Sequence, residues 1–222
     1  MADPDAPEIP VRAQRETHWE GLYRVKQVDQ VSWYRPHLEH SLRLIRQLLP
    51  AANGRIIDVG AGASTLVDDL LAVGYRSIDV LDLSATAIEV TRRRVGAEAG
   101  GVRWLVGDVT SYPLDACSYD LWHDRAVFHF LTRPEDRDAY IRQVTRALRP
   151  GGHIVIATFG PQGPTRCSGL EVERYGADSL GAQFGDRFML CSQLLDVHRS
   201  PAGAEQQFLY CAFKLLPERS AS

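Results

Sequence analysis

Apolar and polar positions divide the chain into two regimes. Between Glu16 and Leu49 the pattern is helical and dense in aromatics, with Trp19, Tyr23, Trp33 and Tyr34 preceding Leu38, Leu42, Ile45 and Leu49. Those four recur at steps of four and three, the spacing of one helix face. Residues 1 to about 15 read as a flexible arm, and Pro50 with Asn53-Gly54 breaks the chain. Beyond the break, short β-branched runs alternate with helical stretches. Arg55–Gly60, Ser77–Leu83, Val102–Gly107, Tyr119–His123 and His153–Phe159 read as strands, and Thr65–Val73, Ala85–Val95 and Asp136–Leu148 as helices. Residues 160–169 hold three glycines and two prolines and read as a loop. A short helix at Ala177–Phe184 follows, then two β-rich runs, Arg187–His198 and Gln206–Leu215, joined by a hairpin-sized connection.

Strands alternating with helices predict an α/β fold, a doubly wound, mostly parallel sheet covered on both faces. The length of 222 residues accommodates one domain, 16–222, behind the arm 1–15. Hydrophobic residues at 45% and charged residues at 24% are ordinary for a soluble globular chain. The net charge of -3 disfavours a nucleic-acid partner. Of the 25 basic residues only Lys26 and Lys214 are lysine, a bias that points to a GC-rich, bacterial genome. No apolar run has the length of a membrane span, and no signal-peptide pattern opens the chain. The cysteines 117, 167, 191 and 211 lack metal-ligand or disulfide spacing, so a reducing cytoplasm, no metal and four buried thiols are expected.

The most informative segment is Asp58-Val-Gly60-Ala-Gly62-Ala-Ser64-Thr65, a glycine turn directly after a strand and before a helix. Such a turn lets backbone approach a ligand at the carboxyl ends of the strands. Asp82 lies 20 residues beyond Gly62, at the end of the next strand, where a carboxylate can accept from both ribose hydroxyls. Thr65 stands where the dinucleotide fingerprint wants glycine. Asp58 would repel a pyrophosphate but favours an ammonium or sulfonium group, so S-adenosylmethionine (SAM) fits better than NAD.

The chain resembles the class I SAM-dependent methyltransferases, closely over roughly 52–160. The motifs are DVGAGAS, VLDLS, GDV at 107–109, YDLWHDRAVFHFL and LRPGGHIVIATF, in family order. The resemblance implies seven strands in the order 3-2-1-4-5-7-6, strand 7 antiparallel, with a helical cap over 16–50, a SAM-binding core over 54–160 and a substrate loop and terminal hairpin over 161–222. It implies cofactor contacts from Asp58, Gly60, Gly62, Ser64, Asp82, Leu83, Asp108, Val109 and His123, with Asp108 near the adenine amino group, and S-adenosylhomocysteine (SAH) as product.

Methyl transfer is an in-line displacement, so alignment and a base for any protonated acceptor are what the protein supplies. His123-Asp124-Arg125 at the end of strand four is the expected place. One reading makes His123 the base and Asp124 an aligning group; the other is an Asp124–Arg125 ion pair organising a loop, with His123 packed in the strand. Trp19 and Trp33 are expected to form a lid over the site, and Arg125, Arg166 and Cys167 to contact the acceptor. A small-molecule acceptor comes first and a protein lysine second. The N-terminal aromatics resemble lysine methyltransferases of citrate synthase or elongation factor, but His123-Asp124-Arg125 replaces their Asp-Lys-Gly type sequence. A SAM-binding regulator without turnover is a third reading, and a nicotinamide oxidoreductase a fourth. The oligomeric state is not legible.

Overall fold

In the computed structural model, residues 11–217 are described. Seven strands form the central sheet: β1 (Ile56–Val59), β2 (Ile78–Asp82), β3 (Val102–Val106), β4 (Tyr119–Arg125), β5 (Leu148–Phe159), β8 (Phe188–Arg199) and β9 (Glu205–Leu215). Their order is β3-β2-β1-β4-β5-β9-β8. The first five run parallel, and β9 enters antiparallel between β5 and β8. This is the order the resemblance implied, the terminal hairpin supplying its sixth and seventh strands. β1 and β2 are buried at every position, as strands covered on both faces must be.

Helices α1 (Val11–Val25), α2 (Glu39–Leu48), α3 (Leu66–Ala72), α4 (Ala85–Val95), α5 (Pro134–Ala147) and α6 (Ala177–Phe184) complete the chain. Two apolar clusters separate the faces. One joins α5 and α6 to the sheet through Tyr140, Val144, Leu180 and Phe184 around Trp122. The other joins α2 and α3 through Leu44, Ile45, Leu66 and Leu70 around Leu121 and Val155. α5 opens with Pro134 in its first turn, where the missing N–H costs nothing.

Four sequence expectations are corrected. The arm expected through residue 15 is already helical from Val11, while residues 1–10 lie outside the described residues. β4 runs two residues past His123, to Arg125. The stretch 160–169 is not all loop: β6 (Arg166–Cys167) pairs with β7 (Leu170–Glu171) in a small antiparallel ladder. Cys167 and Cys211 are buried, but Cys117 and Cys191 are exposed. No described helix is long and apolar enough to cross a membrane.

α1 is fastened by one carboxylate. Glu20 accepts from Ser84 Oγ (2.7 Å), Thr86 Oγ1 (2.6 Å) and the Thr86 backbone N–H (3.2 Å). It therefore sits at the N-terminus of α4, where the helix dipole favours negative charge. The Thr86 hydroxyl, above all, holds the Glu20 carboxyl down at about 2, against an ordinary 4.5. The bond is thus at full strength above that ordinary value and lost as pH falls toward 2. Glu20→Gln should speed tryptic cleavage after Arg24 and Lys26 by about tenfold, the loss of hydrogen bonds to a charged group. An unchanged rate would show that the other contacts of the helix hold it without this carboxylate.

Candidate active site

The glycine turn follows β1 with Gly60 at φ +57° and Gly62 at φ +55°. Both angles lie in the left-handed region that side chains avoid. A Cβ at Gly60 would stand 1.9 Å from Val127 Cγ2, and one at Gly62 2.1 Å from the Tyr23 hydroxyl. Asp82, at the end of β2, fixes this turn. Its Oδ2 accepts from the Gly62 N–H and its Oδ1 from the Ser84 N–H, each at 2.7 Å. The Gly107 N–H, past the end of β3, donates to the Asp82 carbonyl at 2.8 Å. Burial outweighs the two N–H donors and raises the Asp82 carboxyl to about 6.

A pocket opens over these strand ends. Its floor is Gly60, Leu81, Asp82, Leu83, Gly107, Asp108 and Val109; from the last residue of β4 onward come Arg125, Ala126, Val127, Phe130 and Leu131; Arg15, Trp19, Tyr23 and Trp33 cover it. The free space between them is about 720 Å³, counting the part open to solvent. Trp19 meets Trp33 and Phe130 edge-on, with ring centroids 5.7 and 5.0 Å apart. Arg15 Nη2 lies 3.6 Å from Asp108 Oδ2 and 3.3 Å from Asp136 Oδ1. Sequence reasoning missed Arg15, assigned to the arm. The available signal was the step of four from Arg15 to Trp19 to Tyr23, which sets all three on one helix face.

Gly60, Asp82, Leu83, Asp108, Val109, Trp19, Trp33 and Arg125 thus meet in the pocket, and the seven other expected residues do not line it. Gly62 shapes the turn from behind. Ser64 turns away, its Oγ accepting from the Leu66 N–H at 3.2 Å. Asp58 and His123 face each other across β1 and β4, in register. His123 is 1% exposed, with Nδ1 2.6 Å from Asp58 Oδ1 and Nε2 2.9 Å from Ser41 Oγ. Because β4 is still extended there, the imidazole points into the α2 face of the sheet rather than over its edge. Both ring nitrogens are occupied, which overturns the expectation of a base at the methyl group and removes His123 and Asp58 as pocket contacts.

Asp124 points to the opposite face and is fully buried. It accepts from the Tyr140 hydroxyl (2.6 Å) and the N–H groups of Val127 (2.9 Å) and Phe128 (3.1 Å). Burial lifts its carboxyl to about 6. It organises the turn that presents Ala126 and Val127, a positioning role rather than the catalytic one expected. The alternative Asp124–Arg125 ion pair is not formed either. Arg166 is exposed and donates to the Gly169 carbonyl at 2.6 Å. The Cys167 thiol is buried 3.9 Å from Ser32 Oγ, and burial raises its pKa. Neither lines the pocket. Removing the imidazole leaves Asp58 buried beside an empty space, so His123→Ala should cost about 2–4 kcal/mol of folding stability. Urea unfolding reads this directly; an unaffected midpoint would show that the buried network is dispensable.

Comparison with known proteins fits this geometry. Residues 56–152 match the family described as methyltransferase domain. A malonyl-[acyl-carrier protein] O-methyltransferase of Paenibacillus sp. (strain JDR-2) is 30% identical over 115 residues, 50% of this chain and 41% of that protein. An eEF1A lysine and N-terminal methyltransferase of Mus musculus is 24% identical over 138 residues, 62% of this chain and 19% of that protein. Among solved structures, a Burkholderia thailandensis 1,6-didemethyltoxoflavin-N1-methyltransferase with bound 1,6-didemethyltoxoflavin and SAH superimposes with a TM-score of 0.70. It is 18% identical, covering 97% of this chain and 95% of that one. Over residues 56–152 the chain is similar to that methyltransferase-domain family, and its strand order is the one the sequence resemblance implied. It spans less than half the length of these two relatives.

Proposed function

We propose that the protein methylates a small-molecule acceptor at the pocket above β1, β2 and β4. The observation that carries this reading is the meeting of Gly60, Asp82 and Asp108 under one aromatic cover. Asp82 presents a carboxylate to the ribose hydroxyls, Asp108 with Val109 receives the adenine, and the open face of the Gly60 turn receives the amino-acid end. The group bound there supplies a methyl activated on a sulfonium: the acceptor's lone pair bonds to carbon as the C–S electrons leave to sulfur. The chain's own residues align the partners and exclude water, and Trp19, Trp33 and Phe130 form the dry wall for the acceptor.

No imidazole lines the pocket among the described residues. An acceptor that arrives with its nucleophile already ionised needs no base. Arg125, a buried cation in the pocket wall, disfavours a lysine ammonium, so the small molecule is preferred to the protein acceptor. A non-catalytic regulator would bind SAM without forming SAH.

Titration with SAM and NAD, followed by assay for SAH, tests the reading; binding of NAD alone would falsify it. Asp82→Ala should weaken SAM binding by about 1–3 kcal/mol, read by the same titration. Because the Asp82 carboxyl titrates near 6, SAM affinity should fall as pH drops below that value and hold above it. Asp82→Asn should flatten this dependence between pH 5 and 8.

A further inference from the structure

Arg125 is held as if for a ligand that the protein itself does not supply. It is the last residue of β4 and is 9% exposed. Nε donates to the Tyr210 hydroxyl (3.0 Å) and Nη1 to the Trp33 carbonyl (2.8 Å), while the guanidinium carbon lies 4.7 Å from the centre of the Phe208 ring. These contacts fix the plane of the guanidinium, yet all its partners are neutral. Nη2 is buried without a hydrogen-bond partner, and Arg125 enters no ion pair among the described residues. Two of an arginine's five N–H groups are engaged, so three remain. The charge is permanent, and a buried charge without a counter-ion is costly. The missing counter-charge belongs in the pocket that Arg125 lines.

We infer that the acceptor is a small planar acid whose carboxylate binds Arg125 while its ring lies against Trp19, Trp33 and Phe130. This rests on the methyltransferase reading and adds the acceptor's chemical class. Three observations favour the acceptor over the amino-acid carboxylate of the cofactor. Arg125 ends β4, whereas Asp82 and Asp108, on the nucleoside side, end β2 and follow β3. Its Nη1 partner is the carbonyl of Trp33, a residue of the aromatic cover rather than of the glycine turn. Trp19, Trp33 and Phe130 share the pocket with Arg125, and aromatic side chains favour contact with another ring, edge to face or offset. A guanidinium in the pocket wall beside aromatic rings matches a carboxylate carried on an arene.

The test titrates benzoate and its neutral isostere benzamide into the SAH-saturated protein. Benzoate should bind at least tenfold more tightly. Arg125→Gln should erase that preference while leaving SAH affinity within twofold. Benzoate binding no better than benzamide overturns the inference. So does an Arg125→Gln protein that loses SAH affinity while keeping that for 5′-methylthioadenosine, since the arginine then serves the cofactor's own carboxylate. If the variant fails to fold, the benzoate–benzamide comparison on the unaltered protein still decides. Absence of SAH binding is a separate result: it removes the methyltransferase reading and this inference with it. SAH binding without a benzoate preference removes this inference alone.

Discussion

The carboxylate of Asp82 is the constraint on which the rest of the site depends. It is almost fully buried, and its two oxygens accept backbone N–H groups from opposite sides. One bond holds Gly62 and with it the left-handed turn after β1; the other holds Ser84, whose hydroxyl caps α4 by accepting from the Ala87 N–H. The same hydroxyl donates to Glu20 of α1. Turn, helix cap and cover are therefore stitched to one group that also faces the pocket. A carboxylate taken out of water is tolerated when its lone pairs are this well used, and its raised pKa measures the residual cost.

The fold was largely legible because its determinants are local. Alternating apolar runs and helical stretches, the glycines after β1 and the turn between the last two strands all leave marks within a few residues. The end of β4 leaves none. Reading the strand as finished at His123 turned the next residues into an edge loop facing the ligand. In fact the extended backbone continues, so side chains keep alternating between faces. His123 and Arg125 fall on one side with Tyr210 and Phe208, and Trp122 and Asp124 on the other with Tyr140. Two residues of extra strand thus moved the expected acid–base pair out of the pocket while leaving Arg125 in it.

The same distinction explains the other differences. Asp82, Leu83, Asp108 and Val109 were found from strand-end motifs because the sheet topology brings such ends together whatever the side chains do. Arg166 and Cys167 were placed by the idea that a Gly/Pro-rich loop overhangs the site. That idea failed because two residues of the loop, Arg166 and Cys167, pair with Glu171 and Leu170 just past it, an interaction of backbone that side-chain pattern does not announce. The partners of His123, Asp58 and Ser41, come from β1 and α2, distant in sequence, and only the three-dimensional register reveals them.

α1 has a property that exposure alone would hide. Arg15 approaches Asp108 at one end of the cleft, and Tyr23 lies over Gly62 at the other, with Trp19 between. Each step of four residues advances about 6 Å along a helix and drifts about 40° around it, so the three side chains span about 12 Å within about 80° of one another. The helix is a ruler laid along the cleft. Its marks stay aligned through a change of surface residue but not through a change of length. Inserting or deleting a single residue between them rotates one end by about 100°, turning some marks outward while others stay. The outer face of this segment is thus free to vary in composition, while its spacing is fixed as firmly as that of a buried strand.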